Sequence, residues 1–290
     1  MVNKWTRNVL GRWLPSACAL CGAEARGGPV CGQCLDDLPR LGSACVRCGV
    51  PLPSAGLQGS LAGTPVPGVT LCGSCLREPP PLARCVAALE FRDTARALVH
   101  GLKFRGQLPF ARPLGEVVAR SVAERGPVEA DLLLPVPLHP GRLRQRGFNQ
   151  ATEVARVVSR LLGMPLASPG TATRRRSTVA QTDLPGARAR RRNVAGAFQV
   201  DSREVSGRRV VLLDDVMTTG ATLYELARTV GAAGARQVEA WACCRAGPPH
   251  AGPESPQASP SPGGIPRGGL GEGLQDKASG VGRPTLVVPR

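Results

Sequence analysis

The chain has 290 residues and a formal net charge of +16, and its length suffices for one full α/β domain and a smaller module. Nowhere does it approach the roughly 18 apolar residues of a membrane span. Its first residues also lack the apolar segment of about 7–15 residues that a secretory signal contains. We therefore expect a cytoplasmic protein without a membrane span.

Arginine supplies almost all of the positive charge. Between His139 and Arg209 there are fifteen arginines and four acidic residues, which gives this segment a net charge of +11. Because a guanidinium binds phosphate in a planar, bidentate way, this density indicates an anionic partner, either a phosphorylated small molecule or a nucleic acid. The alternative is a basic surface that contacts only solvent.

The region 16–78 contains four C-x-x-C pairs in a row. Each pair brings two thiolates to one tight turn, and two pairs complete the tetrahedral four-sulfur shell that structural Zn²⁺ prefers. The predicted ligands are Cys18, Cys21, Cys31, Cys34, Cys45, Cys48, Cys72 and Cys75. Sequential pairing of the C-x-x-C pairs is the simplest arrangement, but pairing the first with the third is compatible with the spacing. The pattern predicts a double zinc ribbon with two structural zinc ions, and a redox dithiol is the alternative.

Three further expectations concern the insert of this region, the remaining cysteines and the segment 78–81. The Pro/Gly-rich insert 51–67 is expected to be a surface loop of the second ribbon. Cys85, Cys243 and Cys244 have no partner at C-x-x-C spacing, so we expect them to be buried apolar residues. A polyproline link at 78–81 separates the cysteine region from the rest of the chain.

The segment 85–245 shows the pattern of an α/β domain with a mostly parallel sheet and flanking helices. We expect Asp93 and Thr94 to cap its first helix and Gly106 to end it. The predicted strands are 86–91, 132–136, 165–167, 194–200, 210–213 and 238–242, and the predicted helices are 94–105, 110–124, 151–162, 186–193 and 223–233. Beyond them, 246–290 is rich in proline and glycine, and we expect a disordered tail.

An arginine-rich stretch follows the predicted strand 132–136. We expect a loop there, in which Arg142, Arg144, Arg146 and Gly147 converge on an anion before a helix begins near Phe148. A basic connection that contacts only solvent is the alternative. His139, just before this stretch, is a candidate general base, although a lone loop histidine is more often structural.

The basic segment 173–198 is expected to be a mobile lid that brings positive charge over a bound anion. Its polar, glycine-containing start argues against a buried element there. We expect a short Arg-rich helix at 186–193 and a return strand at 194–200.

The stretch VVLLDDVMTTGATL, residues 210–223, combines a buried strand, a carboxylate pair and a hydroxyl-rich turn that leads into a helix. In open α/β sheets, ligands bind beyond the carboxyl ends of strands, and helix N-termini there offer free N–H groups to phosphate. The turn is therefore a predicted phosphate site. Asp214 and Asp215, at the predicted end of the strand, are predicted hydroxyl acceptors beside it.

These residues resemble a known family. DDVMTTGAT is similar to the signature of type I phosphoribosyltransferases, whose ligand is 5-phosphoribosyl 1-diphosphate (PRPP). Together with the C-x-x-C pairs, LKFRG, PVPLHP and RGFNQ, it resembles the ComF family of competence-associated proteins. The resemblance implies a type I phosphoribosyltransferase fold at 85–245 after a double zinc ribbon at 16–78.

The resemblance also implies roles for individual residues. Asp214 and Asp215 would be the catalytic pair and accept hydrogen bonds from the ribose 2′ and 3′ hydroxyls. The loop 142–147 would meet the diphosphate with Mg²⁺ between, and 173–193 would take the place of a flexible catalytic loop. The 5-phosphate would be held by Thr218, Thr219, Gly220, Ala221 and Thr222. No acceptor-binding hood is recognisable.

Three functions remain open at this point. The first is transfer of phosphoribosyl from PRPP to an unknown acceptor, in the setting of natural competence and the DNA-uptake machinery. The second is a non-catalytic protein that handles single-stranded DNA and uses the PRPP pocket for binding or regulation. Because aromatic residues are scarce, base stacking should then be limited and phosphate contacts should dominate. The third is a zinc-dependent adaptor.

Overall fold

The computed structural model describes residues 16–52, 58–61, 64–177 and 186–247, all of which fall in one unit spanning Met1–His250. The expected disordered tail lies outside the described residues from position 248 onward, and so does the middle of the expected lid, 178–185. In the part of the chain that is described, no helix is long and apolar enough to cross a membrane.

Short strands and single-turn helices build the cysteine region. The strand β1 (Ser16–Ala17) pairs antiparallel with β2 (Glu24–Ala25), and the helix α1 (Gly32–Asp36) follows. The strands β3 (Gln58–Leu61) and β4 (Thr64–Thr70) pair antiparallel before α2 (Gly73–Arg77). The insert 51–67 therefore includes strand residues, and the expectation of a plain surface loop is wrong. Composition alone did not reveal it, because prolines and glycines dominate the insert.

Four parallel strands form the central sheet, which confirms the predicted α/β class. The strands are β5 (Arg84–Glu90), β6 (Leu132–Pro135), β9 (Arg209–Met217) and β10 (Gln237–Arg245), and their order across the sheet is β5-β10-β9-β6. All three pairings are parallel, so the carboxyl ends of all four strands lie at one edge.

Helices cover the sheet, and a small antiparallel pair adjoins it. The helices are α3 (Asp93–Arg105), α4 (Ala111–Ala123) after a 3₁₀ turn (Leu108–Phe110), α5 (Pro140–Arg146), α6 (Gln150–Leu162), α7 (Gly186–Val194), α8 (Ser202–Val205) and α9 (Ala221–Ala232). The antiparallel pair is β7 (Ala172–Arg174) with β8 (Phe198–Val200).

A hydrophobic core lies on each face of the central sheet. The strand β9 contributes to both cores because its side chains alternate between the two faces. Val211 and Leu213 pack with α3, α4 and α6, whereas Val210 and Leu212 pack with α9 and β8. All four are fully buried. This is why the sequence shows a continuous apolar run there and not an alternating one.

Of three local predictions about the ends of elements, two differ from the structure and one is confirmed. The strand β9 continues through the aspartate pair to Met217, because β10 keeps pairing with it up to Arg245. Helix α3 has Arg92 at its N-cap, and no side chain caps it. The prediction that Asp93 and Thr94 cap this helix is therefore wrong. Gly106 does end that helix, in the left-handed conformation with φ of 63°.

Candidate functional site

A cavity of about 950 Å³ lies at the carboxyl ends of β5, β6 and β9. Asp214, Asp215 and the loop 218–222, here called the threonine loop, line one side of it. The helices α3 and α5 and the strand β7 contribute the cationic side chains, which are Arg96, Lys103, Arg142, Arg146 and Arg174. Two of the predicted site residues, Arg144 and Gly147, are not among the lining residues.

The threonine loop joins β9 to the N-terminus of α9. Gly220 is the N-cap of α9, in the left-handed conformation with φ of 79°. A Cβ atom at this position would lie 2.5 Å from Cζ of Tyr224, so both the backbone angle and the available space require glycine. The N-terminus of α9, with its free N–H groups, therefore lies at the cavity, and such groups can bind an anion.

The two aspartates differ in their surroundings. Asp215 is buried, with 3% of its surface exposed, and its Oδ2 lies 2.9 Å from Nζ of Lys103. Burial alone would raise the pKa of Asp215, but the Lys103 ammonium and hydrogen bonds outweigh burial and hold that pKa below its ordinary value. Burial and the adjacent negative charge of Asp215 instead raise the pKa of Asp214 well above its ordinary value. The pair therefore holds one firmly ionised carboxylate beside one that is more easily protonated.

Backbone hydrogen bonds fix the orientation of both carboxylates. Asp214 Oδ1 accepts from the backbone N–H of Asp215 at 2.9 Å, and Asp215 Oδ1 accepts from that of Val216 at 3.0 Å. One oxygen of each carboxylate is thus engaged locally. The Lys103 ammonium, whose pKa is raised by Asp215 in spite of its own burial, engages the second oxygen of Asp215.

The arginine stretch after β6 is a helix and not the predicted loop. His139 caps α5 by accepting from the backbone N–H of Gly141, Pro140 is its first residue, and Gly147 ends it with φ of 83°. Residues four apart share a helix face, so Arg142 and Arg146 both line the cavity. Arg144, two positions away, is exposed and lies outside the lining. The cap also gives His139 a structural role.

A buried arginine enters the cavity from the start of the expected lid. Arg174, on β7, is 8% exposed, and its guanidinium lies over the ring of Phe198 at 5.5 Å. Burial and the charge of Arg142 lower its pKa, while Asp214 raises it, so these three groups lie within electrostatic reach of one another. The expectation that this segment does not start with a buried element is wrong, because pairing with β8 and the Phe198 ring cover Arg174.

The eight predicted zinc ligands form two clusters. One contains Cys18, Cys21, Cys31 and Cys34, the other contains Cys45, Cys48, Cys72 and Cys75, and within each cluster the sulfur atoms lie within 4.8 Å of one another. The sulfur atoms of Cys21 and Cys31 are 3.7 Å apart, and those of Cys48 and Cys72 are 3.6 Å apart. Four ligands at the usual Zn–S bond length would be about 3.8 Å apart on a tetrahedron, so both clusters fit zinc.

The clusters also decide between the two pairings left open by the spacing. The first C-x-x-C pair joins the second and the third joins the fourth, so the arrangement is sequential. Four thiolates leave no open ligand position, which is typical of a structural site. The remaining cysteines, Cys85, Cys243 and Cys244, are buried as predicted.

Some residues at the cavity were not identified from the sequence. Lys103 lies near the C-terminus of α3, where a cation is favourable in any helix, and nothing local indicates that it meets Asp215 on another element. The aromatic residues Phe91, His100 and Phe104 also line the cavity without any motif that marks them. A signal for the helix α5 was present, since proline in the first turn and glycine after the last are typical of a helix.

Comparison with known proteins agrees with this architecture. Residues 9–76 match the double zinc ribbon domain, and residues 145–258 match the phosphoribosyl transferase domain. The DNA utilization protein YhgH of Escherichia coli O157:H7 is 37% identical over 174 residues, which cover 59% of this chain and 75% of that protein. Competence protein F of Haemophilus influenzae is 30% identical over 177 residues, covering 59% of this chain and 76% of that protein. Competence protein ComFC of Bacillus subtilis is 25% identical over 138 residues, covering 48% and 54%.

Proposed function

We propose that this chain, which belongs to the ComF family of competence-associated proteins, binds PRPP. The binding site is the cavity at the carboxyl ends of its central strands. The observation that carries the proposal is the combination of charged and polar groups in that cavity. A helix N-terminus, a carboxylate pair and five cationic side chains all line this one cavity. PRPP has a phosphate, a diol and a diphosphate, and these are the groups that such a lining can bind.

Each part of PRPP has a counterpart in this cavity. Thr218, Thr219, Gly220, Ala221 and Thr222 would hold the 5-phosphate through hydroxyl and backbone N–H groups at the start of α9. Asp214 and Asp215 would accept hydrogen bonds from the ribose hydroxyls, and Lys103 keeps Asp215 ionised for that role. Arg142 and Arg146 would bind the diphosphate through charge-assisted hydrogen bonds. Arg144 and Gly147 do not line the cavity, so no contact is assigned to them.

Mg²⁺ fits the same arrangement. It prefers oxygen ligands and is usually bound by substrate phosphates together with one or two carboxylates, and the cavity offers the carboxylate of Asp214. The ion would neutralise part of the diphosphate charge when bound. The protein groups that serve the same end are Arg142, Arg146 and Arg174.

Transfer of phosphoribosyl to an acceptor is the reaction that this arrangement would favour. When diphosphate leaves the ribose C1 atom, positive charge develops on the sugar and negative charge on the leaving group. Guanidiniums that are already in place around the cavity would stabilise the negative charge without reorganisation. The aspartate pair would hold the ribose in a fixed orientation, so that an acceptor can approach C1.

Handling of single-stranded DNA is the second candidate. The observations that favour it are the five cations that line one cavity and the names of the relatives, a DNA utilization protein and a competence protein. A cytoplasmic location and contact with the competence DNA-uptake machinery are proposed for the chain under either candidate. The second candidate requires DNA affinity that falls steeply as salt rises, because binding would release counterions from phosphates.

The deciding experiment is calorimetric titration with PRPP, ribose 5-phosphate and diphosphate, each with Mg²⁺. Wild type should bind PRPP, and the double variant Asp214→Ala/Asp215→Ala should lose most of that affinity, with a smaller loss for diphosphate because Arg142 and Arg146 remain. Absence of PRPP binding by the folded wild type would contradict the proposal. An assay of diphosphate release from PRPP with single-stranded DNA present then separates the two candidates. Release supports phosphoribosyl transfer, and DNA binding without release supports the second candidate.

A further inference from the structure

Aromatic side chains are scarce in this chain but concentrated at the cavity. The whole sequence has five phenylalanines and one tyrosine, and aromatic residues make up 3% of it. Three of the five phenylalanines, Phe91, Phe104 and Phe148, line the cavity. A core, and not a cleft lined by arginines, is where such residues are usually found, so this distribution needs a reason.

Two of these phenylalanine rings and one histidine ring lie next to one another. They are Phe91, His100 and Phe104, here called the aromatic platform. The ring centroids of Phe91 and His100 are 6.1 Å apart, and those of His100 and Phe104 are 5.2 Å apart with edge-to-face geometry. Phe104 is 66% exposed although the other large apolar residues of its helix, Leu98, Val99 and Leu102, are buried. Phe91 also packs against the core, whereas Phe104 leaves most of its side chain uncovered at the cavity.

Cations surround the platform. The guanidinium of Arg146 lies over the Phe104 ring at 5.7 Å from its centroid, and Arg96, one helical turn before His100, also lines the cavity. Rings next to guanidiniums are the surface on which proteins stack nucleobases, since every base has a π face and is accompanied by phosphate in nucleotides and strands.

The platform is adjacent to the predicted ribose site. Phe104 directly follows Lys103, whose ammonium is 2.9 Å from Asp215. Helix α3 thus presents a cation to the aspartate pair and, at the neighbouring positions 100 and 104, rings to the same cavity. A planar group stacked on these rings would share the cavity with PRPP.

We propose that the aromatic platform of Phe91, His100 and Phe104 is a nucleobase-binding subsite on the acceptor side of the cavity. Placing this subsite on the acceptor side rests on the proposed function, but the binding of a base does not require PRPP. The base can come from a free nucleobase or from a single strand, and both would stack in the same way. Base stacking thereby has a larger part than the composition of the chain suggests.

The test compares two strands of about ten nucleotides, a length within the range that single-strand sites cover. One is oligo(dT) with a central 2-aminopurine, and the other has the same backbone with abasic sites in place of the bases. Wild type should bind the base-bearing strand more tightly and quench its 2-aminopurine fluorescence. Phe104→Leu should bind the base-bearing strand about ten-fold more weakly, since stacking on one aromatic ring contributes about that factor. Its affinity for the abasic strand should not change.

Two further variants keep the result interpretable. Phe104→Tyr retains the ring and should restore both affinity and quenching, whereas a purely structural role for Phe104 would not show this selectivity for bases. Leu161→Ala removes an apolar side chain that is 54% exposed but lies outside the cavity lining, and it should have no effect. Equal loss for base-bearing and abasic strands in Phe104→Leu would overturn the proposal.

The source of the base is decided by parallel titrations with free adenine, guanine, cytosine and thymine, with and without PRPP and Mg²⁺. Binding of a free base that weakens in Phe104→Leu indicates a small-molecule acceptor, and selective loss on strands alone indicates DNA. Failure of PRPP to bind would count against the proposed function only, because the strand measurements are made without PRPP. No dependence on the base in any titration would overturn the subsite.

Discussion

The guanidinium of Arg245 donates a hydrogen bond from Nε to the backbone carbonyl oxygen of Cys48 at 3.0 Å. Its Nη1 donates to the carbonyl oxygen of Met217 at 3.1 Å and also to that of Thr218. Arg245 is 6% exposed. One buried side chain therefore joins the second cysteine cluster to the end of β9, where the threonine loop begins.

Replacing this arginine should affect both stability and ligand binding. Arg245→Met keeps most of the volume but leaves buried carbonyl groups without a donor, so we expect a loss of about 3 kcal/mol in the free energy of unfolding. Affinity for PRPP should fall with it, because the threonine loop loses a support. Urea denaturation and calorimetry measure the two quantities. The control Arg228→Met, at a side chain that is 56% exposed, should change stability by less than about 0.5 kcal/mol. Lower stability with unchanged PRPP affinity would show that Arg245 does not support the loop.

The two cysteine clusters should differ in their influence on the cavity. Tyr224 of α9 packs against the cluster of Cys45, Cys48, Cys72 and Cys75, whereas Cys21 of the first cluster is exposed. Cys45→Ser and Cys21→Ser should each lose one of two equivalents of zinc, as measured by native mass spectrometry. Only Cys45→Ser should weaken PRPP binding. Equal losses of affinity in the two variants would contradict this coupling.

Neutralising the two aspartates should change stability in opposite directions at pH 7. The raised pKa of Asp214 means that the folded state holds its proton longer than the unfolded state does. Stability therefore falls as pH rises from the unfolded pKa of about 4 through the folded pKa, and Asp214→Asn should remove that loss. The lowered pKa of Asp215 has the opposite sign: its contribution is present above about pH 4 and is lost as pH falls through the folded pKa.

Asp215→Asn should therefore be less stable than wild type at pH 7, since it leaves the Lys103 ammonium without its carboxylate, while Asp214→Asn should be more stable. Denaturation curves between pH 5 and pH 8 measure both. Both variants should still bind PRPP more weakly, so a gain in stability at position 214 would accompany a loss of binding. Destabilisation by the same amount in both variants would contradict the assigned pKa directions.

The helical spacing of α5 gives a sharp comparison between arginines. Arg142→Ala and Arg146→Ala should each weaken PRPP binding about ten-fold or more, since a hydrogen bond to a charged group contributes about 1.5–3 kcal/mol. Arg144→Ala removes an identical charge from the same helix and should have little effect at physiological salt. Calorimetry with PRPP and Mg²⁺ measures all three. An equal loss at position 144 would mean that net charge, and not position in the cavity, determines affinity.

Local patterns predict most helices and strands of the α/β domain, but they do not predict which side chains of different elements meet. The strand, carboxylate pair and turn at 210–223 were predictable because periodicity and the helix N-terminus are local. The prediction of a loop at α5 is wrong although Pro140 and Gly147 mark the ends of the helix, because a seven-residue element with three arginines has no apolar periodicity. The pairing of Lys103 with Asp215 depends on how α3 packs on β9, and the bond from Arg245 to Cys48 depends on how the two regions dock. Neither relationship has a signature within a window of residues.

Glycine at position 220 should be required for two separable reasons. Gly220→Ala places a methyl group 2.5 Å from Tyr224 and 2.7 Å from Met217 in a backbone conformation with φ of 79°. The matched control is Gly163→Ala at the end of α6, where φ is 63° and nothing lies within 4 Å of the added carbon. Both variants should lose about 1 kcal/mol from backbone strain, and Gly220→Ala should lose about 1–3 kcal/mol more from crowding. Because the crowded atoms border the threonine loop, only Gly220→Ala should also weaken binding of ribose 5-phosphate, measured by calorimetry. Equal effects in the two variants would show that backbone strain alone explains the glycine.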